Sequence, residues 1–398
     1  MIASFAPEQL ESINWDFAEA KTSYSTHGLH PYPAKYIPQI PHAIIEALSQ
    51  PGEIVADIFA GSGTTLVEAL RLARHAKGID ANPLACLISE VKTSHFVGDD
   101  AAQLRALAER ASKFASAIAA YPGSLFPVKP FVSSAPRPAS DAITFWFEPF
   151  VIEELAEALS WCDAMPTETT RKVARVALSS IIVTVSKQDS DTRYVRRQKN
   201  LGAGETLKRF ARAVLEATGA IEAFTKEVTL NVHCDVYRAN VLTKPDIGFV
   251  DLVVCSPPYP NAYSYHLYHM TRMLWLGMDQ PAFKREEIGS HRKYSSKGKN
   301  GATVETFRKE MTTIFEWLGT HLRRDRYACF VVGNSTIRGE TINNADLISD
   351  VAGRVGFCEV GRLGREMQVS KKSFNPKHGR IKTEDIVILQ NRAGGHHG

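Results

Sequence analysis

The stretch from Ile54 to Thr65, IVADIFAGSGTT, constrains this chain more than any other. An apolar run enters a Gly-x-Gly turn and leaves it on the helical spacing Leu66, Val67, Ala69, Leu70, Leu72. Glycines let a backbone approach a ligand closely. The helix start behind them offers unpaired N–H groups and the positive end of the helix dipole. The next apolar segment, 76–79, closes on Asp80, at about the 20-residue spacing where a carboxylate takes ribose hydroxyls in nucleotide-binding βαβ units. Such a unit suits nicotinamide dinucleotides or S-adenosylmethionine, and two details favour the latter. Leu66 stands where a dinucleotide fingerprint needs its third glycine, and Asp57 would repel a pyrophosphate but attract an ammonium group.

The second distinctive point is Ser256-Pro257-Pro258-Tyr259, delivered by the apolar run 252–255. Proline fixes φ and has no N–H, which leaves the carbonyls of Ser256 and Pro257 as acceptors beside a hydroxyl and an aromatic face. This set suits an exocyclic amine on a flat base.

Together with the glycine loop, the tetrapeptide resembles the catalytic motif of the S-adenosylmethionine-dependent DNA amino-methyltransferases, and its serine form is similar to the N4-cytosine branch. A third segment, His27-Gly28-Leu29-His30-Pro31-Tyr32-Pro33-Ala34-Lys35-Tyr36-Ile37-Pro38 running into a helical pattern over 41–48, resembles the stretch that packs on the methionine end of the donor in that family. The resemblance implies S-adenosylmethionine as cofactor. It would be held by His30, Lys35, Tyr36, Asp57, Phe59, Ala60, Gly61, Ser62, Gly63, Thr64, Thr65, Asp80 and Asn82. Asp235, after a strand-like 229–234, would be the acidic contact to the adenine amine, and Ser256, Pro257, Pro258 and Tyr259 would be catalytic. The implied substrate is double-stranded DNA, in a restriction-modification or related bacterial system where a cognate endonuclease acts separately. Several enzymes of the branch place the tetrapeptide before the glycine loop, whereas here it follows a long insertion, so the sequence-reading region is left open.

Strand signals fall at 54–59, 75–79, 230–234, 252–255, 328–332, 357–362 and 385–390, a doubly wound α/β pattern. The fold expected is a Rossmann-like methyltransferase sheet of seven strands, with a terminal antiparallel hairpin and an inserted helical subdomain. Gly61, Asp80, Asp235 and Ser256 are expected at the carboxyl edge of the sheet, where ligands bind in such folds. Three regions follow: 1–98 as a donor-binding half, 99–227 as the insertion and 228–398 as a catalytic half with a basic loop near 284–303. The insertion carries helical patterns at 101–120, 149–164, 169–186 and 204–226, with a proline-rich loop over 121–138. Between its last two helices, Arg193, Tyr194, Arg196 and Arg197 alternate as phosphate and base contacts would, although an Asp/Arg-rich loop also pairs with itself. In the aromatic helix read over 263–275, Tyr263 and His266 are the pocket candidates.

At 398 residues with 44% hydrophobic and 23% charged residues, the composition is that of an ordinary globular chain. No apolar run approaches a membrane span and the N-terminus lacks a signal-peptide pattern, so a cytoplasmic protein is expected. Six scattered cysteines without a CxxC pair read as buried reduced thiols, with no structural metal expected. The net charge is only +4, yet basic residues gather at 187–199, 284–299 and 362–382. Three such stretches suit a polyanion gripped from several sides.

Methylation at cytosine C5 needs a Pro-Cys turn, and the chain has no such dipeptide; Cys255 alternates away from Ser256 and reads as core. Adenine N6 methylation is the nearest competitor, although that branch more often begins the tetrapeptide with Asp or Asn. An RNA methyltransferase, an inactive DNA-binding regulator and a dinucleotide oxidoreductase complete the alternatives. The oligomeric state has no signature in the sequence.

Overall fold

The computed structural model describes residues 8–119, 130–229, 231–258, 260, 264–290, 294, 301–337, 340–366 and 383–392. Helices α1 (Glu8–Glu11) and α2 (Gln39–Leu48) precede β1 (Ile54–Asp57), α3 (Thr64–Arg71), β2 (His75–Asp80) and α4 (Pro83–Lys92). Then come α5 (Asp100–Ile118), α6 (Ala142–Trp146), α7 (Pro149–Asp163), α8 (Glu168–Val185), a hairpin of β3 (Gln188–Ser190) and β4 (Arg193–Arg196), and the long α9 (Glu205–Glu227). The chain returns to the sheet through β5 (Cys234–Arg238) and β6 (Val250–Cys255), followed by α10 (Tyr265–Tyr268), α11 (Met270–Trp275) and α12 (Gln280–Glu286). It ends with α13 (Val304–His321), β7 (Leu322–Gly333), the small hairpin β8 (Ser335–Ile337) and β9 (Glu340–Ile342), α14 (Asn344–Arg354), β10 (Phe357–Glu366) and β11 (Thr383–Asn391).

Seven strands form one sheet in the order β10-β11-β7-β6-β1-β2-β5. Only β11 runs against its neighbours β7 and β10. The arrangement is the expected doubly wound sheet of seven strands with a terminal antiparallel hairpin. Alternation explains how both faces are covered. Val55, Leu252, Val254, Cys329 and Val331 pack with α2 and α3, while Ala56, Val253, Cys255, Phe330 and Val332 pack with α13 and α14. All six residues of β6 are buried, as a central parallel strand requires. β1 continues through α3 to β2 on one side and β6 leads to β7 on the other, although β1 and β6 are paired neighbours. The sheet therefore has its switch point between the ends of β1 and β6, where a crevice opens.

The four helices read in the insertion form at nearly the expected places, joined by the short α6. They cover α4, whose Leu84, Ile88 and Val91 share a core with Leu104, Leu155, Val173 and Phe210. Several expectations need correction. The joint over 189–200 is a β hairpin at its start rather than a plain loop, because Gln188 pairs with Arg196 and Ser190 with Arg193. The strand read over 230–234 begins only at Cys234, set by the parallel register Ala76 to Cys234. The aromatic helix breaks at His269 into α10 and α11. Among the cysteines, Cys358 is exposed rather than buried. Tyr259, Tyr263, most of the loop 291–300 and the basic positions 371–382 lie outside the described residues. No helix among the described residues is long and apolar enough to cross a membrane.

Candidate active site

An open cleft of about 980 Å³ lies beyond the carboxyl ends of β1, β2, β5 and β6. Phe59, Ala60, Gly61, Ser62 and Thr64 line it from the first βα turn, Asp80 and Asn82 from the second, and Ser256, Pro257 and Pro258 from the end of β6. Three segments drawn from both halves of the chain thus meet at one crevice.

The first turn needs its glycines. Gly61 and Gly63 have φ of +51° and +79°, and a Cβ on Gly63 would lie 2.9 Å from Ser89 Oγ. Asp80 holds the turn to β2: its Oδ2 accepts from Gly61 N at 2.8 Å and its Oδ1 from Asn82 N at 2.8 Å. Burial pushes its carboxyl up to about 6, against the pull of those two backbone donors. Asn82 caps α4 by accepting from Leu84 N and donates through Nδ2 to the Tyr32 hydroxyl.

Asp57 stands elsewhere than expected. It does not line the cleft, because its oxygens are taken within the protein: Phe59 N donates at 3.0 Å, Thr65 Oγ1 at 2.7 Å and the Tyr36 hydroxyl at 3.4 Å. Burial raises its carboxyl to about 7. Thr65, likewise behind the lining, also sits 3.1 Å from the Val254 carbonyl, so Asp57 and Thr65 tie the glycine loop to β6 two residues before Ser256. Gly63 lies behind the lining as well.

The segment 24–38 is clamped to α3 by the buried Glu68, which accepts from His27 Nε2 at 2.6 Å, His42 Nδ1 at 2.8 Å, Arg71 at 2.8 Å and Tyr24 at 3.0 Å. Burial would raise that carboxyl, but the bonds from His27 and His42 hold it down at about 2. So anchored, the segment brings Tyr32, Lys35 and Tyr36 to the cleft, and Lys35 donates to the His27 carbonyl at 2.9 Å. His30 is turned away. Burial holds it well below the usual histidine range, so as a neutral ring it donates from Nδ1 to the Pro31 carbonyl at 2.7 Å and accepts at Nε2 from Ser179 Oγ at 2.9 Å.

Asp235 does not reach the cleft. It is the second residue of β5 and pairs with Lys77, and the chain turns into the crevice only at Ala239 and Asn240. Asn240 is one of several lining residues without a clear sequence signal; Tyr265 and Glu287 are others. Tyr32 stacks on His269 at 4.9 Å and on Tyr265 at 5.8 Å between ring centroids. His266, a candidate, is drawn inward by a 2.6 Å contact from Nδ1 to Glu287, leaving Tyr265 to line the cleft. The helix spacing marked these aromatics as a group, but not which of them would face inward. Glu287, one of two adjacent acids beside a basic loop, carried no signal.

The resemblance implies S-adenosylmethionine, and the residues present fit it. The Ser62 hydroxyl is buried without a hydrogen-bond partner, Asp80 presents a carboxylate at the end of β2, and the turn at Gly61 offers backbone without a side chain. Arg193, Tyr194, Arg196 and Arg197 stand outside this cleft, on the β3–β4 hairpin. Its β4 strand is exposed throughout, Asp189 lies 3.3 Å from Arg193 and 3.4 Å from Arg197, and the Arg196 guanidinium covers the Phe145 ring at 4.7 Å.

The sequence matches a family model described as DNA methylase, of N6 and N4 type, over residues 7–91. It is 38% identical over 89 residues to the type II methyltransferase M.MjaII of Methanocaldococcus jannaschii, covering 21% of this chain and 17% of that protein. To the type II methyltransferase M.MvaI of Kocuria varians it is 40% identical over 81 residues, covering 20% and 18%. The chain thus spans less than a fifth of the length of either relative. Among solved structures, the rRNA methyltransferase aviRa from Streptomyces viridochromogenes aligns over 98% of this chain and 96% of its own, at 11% identity and a TM-score of 0.37. The similarity to DNA methylases thus lies within residues 7–91, which hold the clamped histidine-proline segment, the glycine loop and Asp80.

Proposed function

We propose that this chain is a DNA methyltransferase that moves a methyl group from S-adenosylmethionine to the exocyclic N4 amine of a cytosine extruded from double-stranded DNA. The observation that carries the reading is that Ser256-Pro257-Pro258 opens onto the cleft lined by Gly61 and Asp80, in a chain whose residues 7–91 match DNA methylases. When bound, S-adenosylmethionine supplies an electrophilic methyl group on a sulfonium.

The chain's own residues do the rest. Asp80 accepts from ribose hydroxyls, Ser62 offers its unpartnered hydroxyl, and Asn240 stands at the crevice where Asp235 does not. A cytosine amine has its lone pair delocalised into the ring and attacks poorly. Ser256 Oγ and the Pro257 carbonyl accept its two N–H groups and draw the nitrogen toward a tetrahedral shape, and stacking on the base is the role the resemblance gives to Tyr259. The base must leave the duplex to reach them. No covalent enzyme intermediate is needed, and in-line positioning provides most of the rate.

In this reading the helices from α5 to α9 form a subdomain that presents the β3–β4 hairpin, with Arg193, Tyr194, Arg196 and Arg197, to the DNA backbone. Serine at position 256 favours cytosine, since a neutral hydroxyl is a weaker partner than the carboxylate or amide used on adenine. The test is mass spectrometry of nucleosides from varied DNA incubated with labelled donor. N4-methylcytosine is the expected product. N6-methyladenine alone would move the reading to adenine, and no methylated nucleoside at all would overturn it.

A further inference from the structure

The cleft is lined by acids in a chain whose net charge is +4. Asp80, Glu286 and Glu287 border it, and among the described residues Lys35 is its one cation. Asp80 ends β2, whereas Glu287 follows α12, on a wall tied to the end of β5 by a 3.0 Å hydrogen bond from Asn240 Nδ2 to the Glu286 carbonyl. Burial pushes the Asp80 carboxyl up, and the charge of Glu287 adds to the rise, so the two carboxylates feel each other within one cleft.

Glu287 is fixed in place. It is 6% exposed; its Oε1 accepts from Tyr265 N at 2.5 Å and from His266 N at 3.4 Å, and its Oε2 from His266 Nδ1 at 2.6 Å. His266 Nε2 is buried with no partner among the described residues, so nothing there would take a second ring proton. Tyr265 in turn stacks on Tyr32, whose Cε1 lies 3.6 Å from where a Cβ on Gly61 would stand. The carboxylate is therefore held beside the aromatic pair that reaches the glycine turn. In that turn the Ser62 hydroxyl, 2% exposed and unpartnered, borders the same cleft.

S-adenosylmethionine and its demethylated product share every group but one. The first carries a positive charge on a methyl sulfonium, the second a neutral thioether. Hydrogen bonds to ribose, adenine or the amino-acid end hold both alike, and a fixed charge acting through a partly dry cleft tells them apart. We propose that Glu287, together with Asp80, makes the cleft favour the cationic donor over the neutral product, so that spent donor gives way to fresh donor. The proposal rests on the methyltransferase reading, concerns binding alone and adds the residue that separates donor from product.

The test is calorimetry on the full chain with S-adenosylmethionine, S-adenosylhomocysteine and sinefungin, an analogue with an ammonium group in place of the methyl sulfonium. Glu287→Gln keeps an acceptor for the Tyr265 N–H and removes the charge. It should weaken the two cationic ligands about tenfold, the scale of a unit charge acting over roughly 10 Å at an effective dielectric of about 20, and leave S-adenosylhomocysteine within about twofold. Glu286→Lys changes an exposed residue outside those hydrogen bonds and should shift the same ratio in the same direction by about threefold, which decides the question if Glu287→Gln does not fold. Equal losses for all three ligands would mean that Glu287 bonds a group shared by donor and product, and would overturn the proposal. An unchanged ratio in folded Glu287→Gln, or in Glu286→Lys where the first variant is unfolded, would overturn it too. A parent chain that binds none of the three would instead overturn the reading beneath it.

Discussion

Asp191, in the turn of the β3–β4 hairpin, accepts a charge-assisted hydrogen bond from Arg272, whose guanidinium is wholly buried in α11. Arg272 also donates through Nε to the Ser179 carbonyl at 3.0 Å, and Ser179 Oγ donates to His30. One buried cation therefore links the hairpin, the insertion and the segment that borders the cleft. Asp191→Ala leaves that charge unpaired in the core. Because the Asp191 side chain is about a third exposed, water replaces part of the partner, and a loss of about 2–3 kcal/mol is expected rather than the full penalty of a buried break. The Arg272→Met, Asp191→Ala double variant removes the stranded charge and should be more stable than Asp191→Ala alone in urea unfolding. A double variant that is weaker than the single would show that Arg272 acts by packing.

If Asp80 holds the donor as proposed, donor binding should depend on pH. Its carboxyl titrates at about 6 instead of 3.8, because burial penalises the charge. Ribose hydroxyls donate much more strongly to the ionised form than to the neutral acid. The dissociation constant for S-adenosylmethionine should be flat above about pH 7 and rise roughly tenfold per unit below about pH 6. Asp80→Ala should weaken binding by about 1.5–3 kcal/mol and abolish that pH dependence. Calorimetry across pH decides it, and an unchanged constant in the variant would remove Asp80 from the donor site.

In the proposed reaction Ser256 acts on the acceptor and leaves the donor alone. Ser256→Ala deletes one acceptor for the amine, worth about 1–3 kcal/mol in the transition state, so turnover should drop about tenfold to a hundredfold. Donor affinity should not change. A rise in the donor's dissociation constant with turnover intact would place Ser256 in the wrong half of the reaction.

Much of this architecture was legible because it was written in period-two and helical patterns. The fully buried β6 and the turn at Gly61 and Gly63 declared themselves in apolar runs and glycines. β5 did not, since it is an edge strand of mostly half-buried residues, and the alternating Thr229-Leu230-Asn231-Val232 ahead of it reads as a strand. β7 begins six residues early because Leu322 already pairs with Val250, while the mostly charged and exposed stretch from Arg323 to Arg326 forms an irregularity, with Asp325 at φ +62°, before pairing resumes at Tyr327. The site was half legible. Sequence spacing located the carboxylates of Asp57 and Asp80 but could not say that Asp57 is consumed by Thr65, Phe59 and Tyr36. Nor could it show that Asn240 and Tyr265 face the cleft, because both positions depend on register and on a helix break at His269.

Gly63 tests whether the loop tolerates a side chain. At φ +79° an alanine is strained, and its Cβ would press on Ser89, whose Oγ donates to the Gly61 carbonyl at 3.0 Å. Gly63→Ala should destabilise the fold by about 1–3 kcal/mol and lower donor affinity as the loop shifts. Gly52→Ala, at φ +85° but with open space around its Cβ, carries only the backbone strain and should cost less. Equal losses in the two variants would mean that contact with Ser89 contributes nothing.

Asp57 should leave a mark on stability as a function of pH. Its carboxyl is raised from 3.8 to about 7 by burial, so between those values the folded chain holds a proton that the unfolded chain releases. Stability then falls as pH climbs through this window and levels off above about 7, the reverse of an ordinary paired carboxylate. Asp57→Asn cannot titrate, yet it also cannot accept from Thr65, Phe59 and Tyr36 at once, so it is weaker than the parent at every pH. The gap between the two should be widest near pH 4.5, where the parent is protonated and free of the buried charge, and should narrow toward pH 8. Urea midpoints measured across that range read the gap directly. A constant gap would mean that Asp57 titrates in the usual carboxylate range, with its charge fully supported by the three donors that bind the glycine loop to β6.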